Sequence, residues 1–221
     1  MTVSPAAHSR RRKVFVSFPV LQSVRSLIAE RCDAVFNETG QTLPPELLVQ
    51  CVDGCDTLMI TTSDRLDRDL LRQLPKTVRT IATYSVGHDH IDLKAAAELD
   101  LAVFNTPDVL TDAVAEIAMF LILGAARRGT ESIGLLRNQA WSGWSPTQLP
   151  GVQLSGKHLG IVGMGRIGRA VARRATAFGM APHYTRSVPL RVEEVCGATC
   201  HATIDALLAV SQFLLLSCPS T

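Results

Sequence analysis

Two stretches of this chain are empty of acid, and each absence excludes something. Residues 1–29 carry neither Asp nor Glu, which faintly mimics a transit peptide. The run Val14 to Val20, however, is already needed as the first core strand, so no targeting segment is read there. The second gap lies between Gly163 and Val192 and bears on cofactor choice. No long apolar run exists either: the longest, Ile117 to Ala126, is too short to span a bilayer and stops at Arg127-Arg128. A formal net charge of +2 offers no electrostatic case for nucleic acid or a membrane surface. The one basic cluster, Arg10 to Lys13, follows a small, polar start, and residues 1–12 read as a disordered tail. No repeat or low-complexity segment interrupts the rest.

Cysteine is present but unhelpfully spaced. Cys51/Cys55 and Cys196/Cys200 form two C-x-x-x-C pairs, the second followed by His201. They are distant in sequence and lack the tighter spacing of zinc fingers or ribbons. With Cys32 and Cys218 they read as buried small hydrophobes in a reducing cytosol, with no metal site.

What the chain does have is His158-Leu159-Gly160-Ile161-Val162 running into Gly163-Met164-Gly165-Arg166-Ile167-Gly168 and then a helix-forming stretch, Arg169 to Phe178. A G-x-G-x-x-G between strand and helix is the dinucleotide-binding context. Gly163 would permit the tight turn, Gly165 would let the backbone approach the pyrophosphate, and Gly168 would let helix and strand pack closely. The helix N-terminus would supply N–H groups and positive dipole to the phosphates. NAD sites place an acid about 20 residues further on, at the end of the second strand, to bond the ribose. Here that place holds Arg186 and Ser187, with Arg191 as a second cation. These suit a 2′-phosphate, so NADP(H) is expected over NAD(H); the alternative is a solvated loop arginine.

Short apolar strands alternate with helical stretches throughout. Lys13–Phe18, Ala34–Phe36, Thr57–Thr61, Val78–Thr83 and Ala102–Asn105 read as strands, with helices at Ser23–Arg31, Leu66–Leu74 and Leu93–Leu99. That is an α/β domain with a parallel sheet, residues 13–105. A long helix follows, about Leu110 to Arg128. Asp112 falls in its first turn, and Glu116 is the one candidate for a charge on its buried side. A polar stretch, Gly129–Gly156, leads to strands near His158–Val162, Ala181–Tyr184, Ala198–Cys200 and Gln212–Ser217. Residues 106–221 form the second domain, with only the first half of a dinucleotide fold. In strand order 3-2-1-4-5-6 it would end at strand 4, leaving the apolar Phe213–Leu216 as an unpaired edge prone to association.

Several motifs resemble one family, the D-isomer-specific 2-hydroxyacid dehydrogenases. They are Tyr84 to Asp92, Asn105 to Glu116, Trp141-Ser142-Gly143-Trp144, Leu154 to Lys157 and the glycine turn. Within it the chain is most similar to glyoxylate/hydroxypyruvate and 2-ketogluconate reductases. The resemblance runs from Lys13 to the end and implies two Rossmann-like domains, the first flavodoxin-like and substrate-binding, the second nucleotide-binding. It implies reduction of small 2-keto acids in the cytoplasm, with Val86 and Gly87 offering backbone N–H groups to the substrate carboxylate. Thr111, Gly163, Gly165, Arg166, Ile167, Gly168, Arg186, Ser187, Cys218 and Pro219 would border the cofactor, and a homodimer would form through the second domain and its Trp-containing arm. His88 and His90 read as solvated loop residues, neither metal ligands nor a catalytic acid.

The family's substrate-orienting arginine, its proton-donating histidine and the glutamate that keeps that histidine charged are expected beyond Thr221. None of the six histidines matches the motif, so no catalytic residue is assigned within this chain. The alternatives are a non-catalytic nucleotide-binding or interaction protein, and an inactive fragment.

Overall fold

The computed structural model describes residues 11–185 and 196–218. The chain forms two compact units, Met1–Pro107 and Asp108–Thr221, each built on its own parallel sheet.

The first unit alternates β1 (Lys13–Val16), α1 (Gln22–Arg31), β2 (Asp33–Phe36), α2 (Pro45–Cys51), β3 (Thr57–Ile60), α3 (Arg68–Gln73), β4 (Thr80–Thr83), α4 (Leu93–Glu98) and β5 (Ala102–Phe104). Parallel neighbours cannot be joined by tight hairpins, so helices make the crossovers. The order is β2-β1-β3-β4-β5. Phe15, Leu58, Ile60 and Ile81 project from the strands into a core shared with Leu48, Val52, Leu70, Leu71, Ala95 and Ala96 of the helices. Helices α3 and α4 begin where sequence rules place them. The carboxylates of Asp67 and Asp92 accept from the N–H groups of Leu70 (3.0 Å) and Ala95 (2.8 Å), caps worth about 1 kcal/mol each.

The second unit contains α5 (Thr111–Ala126), α6 (Gly129–Arg137), β6 (His158–Val162), α7 (Arg166–Ala177), β7 (Ala181–Thr185), β8 (Thr199–Cys200), α8 (Ile204–Val210) and β9 (Phe213–Leu216). Its sheet order is β8-β7-β6-β9, all parallel. This is the 3-2-1-4 arrangement of a Rossmann-type sheet. Leu159, Ile161 and Tyr184 face a core completed by Ala115, Met119 and Ile122 of α5 and Ala170, Val171 and Ala175 of α7. Alanines on both helices allow close approach. Strand β9 is the sheet's edge, and its Leu214 and Leu216 are exposed.

Several expectations are corrected. Helix α7 starts at Arg166, three residues before Arg169, directly on the glycine turn. Part of the polar stretch Gly129–Gly156, in which no element was expected, is helix α6, entered through Arg128 in the left-handed region (φ 52°, ψ 44°). Helix α2 was hidden by Pro44-Pro45, yet Pro45 occupies a first-turn position where its missing N–H costs nothing. Glu116 is not on the buried side of α5: it is exposed and 3.8 Å from Arg174, which also bonds Asp112 at 2.9 Å. The cysteines are not a buried set, because only Cys55 is buried while Cys200 and Cys218 are exposed. None of the six is joined in a disulfide. Of the expected tail, residues 1–10 lie outside the described residues. Arg11 donates to the carbonyl of Glu30 at 2.6 Å, and the carbonyl of Arg12 accepts from Asp33 at 2.9 Å.

Candidate functional site

In the second unit the chain leaves β6 through Gly163 at φ +93°, a conformation that disfavours any Cβ. A Cβ at Gly168 would run into the Gly163 carbonyl and stand 3.2 Å from Ile161 Cγ2, so this glycine sets how closely α7 lies on β6. Gly165 is different. It is the N-cap of α7, and among the described residues no side chain caps the helix there and nothing stands within 4 Å of where its Cβ would be. The first turn of a helix has N–H groups without intrahelical partners. A helix N-terminus behind an open glycine has the N–H donors and positive dipole end that suit a phosphate group.

The other cofactor candidates distribute around this turn. Arg166 is exposed and forms an ion pair with Asp108 at 2.5 Å, Ile167 is half-buried, and Thr111 opens α5 with its N–H donating to the Asp108 carbonyl at 3.3 Å. Cys218 follows β9, and the hydroxyl of neighbouring Ser217 donates to the Gly163 carbonyl at 2.5 Å. Ser217, which sequence reading left as a strand end, therefore ties the turn to the adjacent strand. Arg186, Ser187, Arg191 and Pro219 lie outside the described residues.

In the first unit, Val86 and Gly87 follow β4. The Val86 carbonyl accepts from Asn105 Nδ2 at 2.8 Å, and the Gly87 carbonyl accepts from the Ser85 hydroxyl at 2.7 Å. Ser85 Oγ lies 2.6 Å from Thr83 Oγ1, which lies 2.9 Å from His90 Nε2. His90 is thus half-buried and bonded, correcting its reading as a solvated loop residue, whereas His88 is exposed. Burial pushes the His90 imidazole below its ordinary pKa, partly opposed by Asp64 and Asp89. Among the described residues, no acceptor takes the N–H of Val86, Gly87 or His88.

A cavity of about 460 Å³ opens in the same unit, lined by Ser17, Phe18, Leu21, Thr61, Asp64 and Tyr84 among others. It lies at the carboxyl ends of β1, β3 and β4. There the strand order reverses between β1 and β3, the usual ligand position of open α/β sheets. Buried Asp64 accepts from the Ser17 hydroxyl (2.8 Å) and the Thr61 N–H (2.9 Å), and Phe18 stacks on Tyr84 at 5.8 Å. Ser17, Phe18, Thr61 and Asp64 carried no functional signal of their own in the sequence, and Tyr84 only as the first residue of a family-like motif. Only their position just past strand ends could have marked them.

Two parallel sheets, one carrying a strand–glycine turn–helix of the Rossmann type and the other a loop whose N–H groups have no acceptor among the described residues, define a two-unit α/β protein. The family described as D-isomer specific 2-hydroxyacid dehydrogenase, catalytic domain, matches residues 14–215, and the chain belongs to it. A glycerate dehydrogenase of Hyphomicrobium methylovorum is 36% identical over 213 residues, covering 96% of this chain and 66% of that protein. A glyoxylate reductase of Aeropyrum pernix is 39% identical over 217 residues, covering 96% and 64%. The chain thus spans a little under two thirds of the length of the curated relatives it matches. Among solved structures, a putative NAD-binding D-isomer specific 2-hydroxyacid dehydrogenase from Polaromonas sp. JS6 66 superposes with TM-score 0.90 at 41% identity, covering 96% of this chain and 66% of that one.

Proposed function

We propose that this chain supplies the carboxylate-orienting loop and the pyrophosphate cradle of an NADP(H)-dependent reductase of small 2-keto acids, with glyoxylate and hydroxypyruvate as first candidates. The observation that carries the reading is the bare N-terminus of α7 behind Gly165. The bound nicotinamide dinucleotide would supply the hydride. The roles left to this chain are binding and orientation. Gly163, Gly165, Arg166, Ile167 and Gly168 would hold the phosphates, with Thr111, Cys218 and Pro219 beside them. Val86 and Gly87 would fix the substrate carboxylate, so that the keto carbon meets the hydride in one orientation.

Preference for NADP(H) rests on the acid-free segment between Gly163 and Val192, which carries Arg186 and Ser187 where an NAD site would place an acid. No histidine here is assigned the proton: His90 is bonded to Thr83, and His183 is bonded to His201 and stacked on His158. Six cysteines with no disulfide among them accord with a reducing cytoplasm. Among the described residues no helix is long and apolar enough to cross a membrane.

Fluorescence titration with NADPH and NADH, followed by glyoxylate- and hydroxypyruvate-dependent oxidation, tests the reading. NADPH should bind at least about tenfold tighter than NADH, and Arg186→Ala should erase the difference. Tighter binding of NADH by the unaltered chain would refute the preference, and absence of any dinucleotide binding would refute the cradle.

A further inference from the structure

The peptide planes of the Val86–Gly87 loop are held from behind. The Ser85 carbonyl accepts from the Thr106 N–H at 2.9 Å, and the Val86 carbonyl accepts from Asn105 Nδ2 at 2.8 Å. Both donors belong to the residues following β5, so both carbonyls point to that side. In a trans peptide the C=O of one residue and the N–H of the next point in opposite directions. The N–H groups of Val86 and Gly87 therefore both point away from β5, side by side, and neither is taken by an acceptor among the described residues.

A third restraint acts on the next peptide, and its proton direction is determined. The Gly87 carbonyl has only lone pairs, so Ser85 donates its single hydroxyl proton there at 2.7 Å. The contact between Ser85 and Thr83, 2.6 Å, then requires Thr83 to donate. Thr83 Oγ1 is left to accept from His90 Nε2–H at 2.9 Å. The chain runs one way, from imidazole through two hydroxyls to a carbonyl, and fixes the Nε2–H tautomer of His90. Protonation at Nδ1 leaves it intact.

We propose that Asn105, together with the His90–Thr83–Ser85 chain, consists of positioning residues that pre-set the paired N–H groups of Val86 and Gly87 for a carboxylate. The ligand assignment rests on the function proposed above; the positioning does not. The reason for such bracing is that the Val86–Gly87 peptide borders a glycine, and glycine opposes backbone reorientation only weakly. Released from Asn105, this peptide would rotate and turn one N–H away. Donors fixed before the ligand arrives bind it without a reorganisation cost.

The test uses the full-length ¹⁵N-labelled chain and oxalate, a two-carbon dicarboxylate, as probe. Residual dipolar couplings report the Val86 and Gly87 N–H directions without ligand, and oxalate titration reports affinity. Couplings should be single-valued in the wild type and averaged in Asn105→Ala and Ser85→Ala, with amides of the β-sheet unmoved. Oxalate affinity should fall about tenfold in both, and Ser85→Thr, which keeps the hydroxyl, should restore both readouts. Unchanged couplings and affinity in Asn105→Ala and Ser85→Ala would overturn the proposal. Averaged couplings in the variants, with no oxalate response even in the wild type, would support the positioning role and overturn the carboxylate reading instead.

Discussion

The backbone nitrogen of Cys218 lies 2.8 Å from the point that a Cβ on Gly163 would occupy. The collision is with backbone, which cannot swing aside as a side-chain tip does, and the φ of +93° adds strain. Gly165 has open space at the same point. The two substitutions to alanine should therefore separate stability from binding. Gly163→Ala should lower the stability of the second unit by about 1–3 kcal/mol, read as a lower urea midpoint. Gly165→Ala should cost no more than about 1 kcal/mol, yet weaken NADPH binding at least tenfold, because its methyl enters the cradle. If Gly165→Ala binds NADPH as the wild type does, the phosphates do not sit there.

Acid should loosen the second unit through a cluster of three histidines. His183 stacks on His158 (4.7 Å between centroids, 14° between planes) and shares a 2.9 Å hydrogen bond with His201. Burial, then the neighbouring His158 and His201, push the His183 imidazole below its ordinary pKa. A base with a depressed folded pKa binds fewer protons folded than unfolded, so stability rises with pH in the window between the two. The contribution is complete above about pH 6.5, the ordinary histidine value, and is lost as pH falls below it. Thermal unfolding followed from pH 7.5 down to 5.5 should show this decline. His183→Gln should flatten it, and an equally steep decline in that variant would place the effect elsewhere. His90, also shifted down by burial, contributes with the same sign in the first unit.

Which parts of this were legible in the sequence follows from how far each feature reaches along the chain. The strands from β1 to β9 and the glycine turn depend on neighbours within a few residues, and the local pattern carries them. Asp64 becomes a site residue only because β1 and β3 are adjacent, which brings Ser17 from 47 residues away. Asn105 matters only because β5 pairs with β4, which puts its amide on the Val86 carbonyl 19 residues back. Glu116 was misplaced for a related reason. With apolar residues on nearly every side of α5, only tertiary packing decides that Ala115, Ala118 and Met119 face inward and Glu116 outward.

Asp64 should prove structural as well as cavity-lining. One carboxylate oxygen accepts from both Ser17 and Thr61, so Asp64→Ala strands two donors in a largely dry place. A loss of about 1–3 kcal/mol from the first unit is expected, measured by urea denaturation. Asp64→Asn keeps an acceptor oxygen of the same shape and should lose less. Equal losses in the two variants would mean that the negative charge, not the acceptor, is what the site requires.

The exposed face of α5 carries the last expectation. Ile117, Phe120 and Leu121 stand 52%, 63% and 61% exposed at i, i+3 and i+4 spacing, which aligns them in one stripe. Three large apolar side chains so arranged lose water favourably when a matching surface covers them. Because the stripe lies on a regular helix, two copies can cover each other about a two-fold axis, each side chain meeting its counterpart's neighbours. Sedimentation velocity should therefore give a dimer at micromolar concentration, and Phe120→Glu/Leu121→Glu should give a monomer with unchanged circular dichroism, since neither side chain is in the core. A wild-type monomer at tens of micromolar would refute the homodimer that the family resemblance implies. A dimer surviving the double substitution would move the interface away from α5, with the exposed Leu214 and Leu216 of edge strand β9 as the next surface to alter.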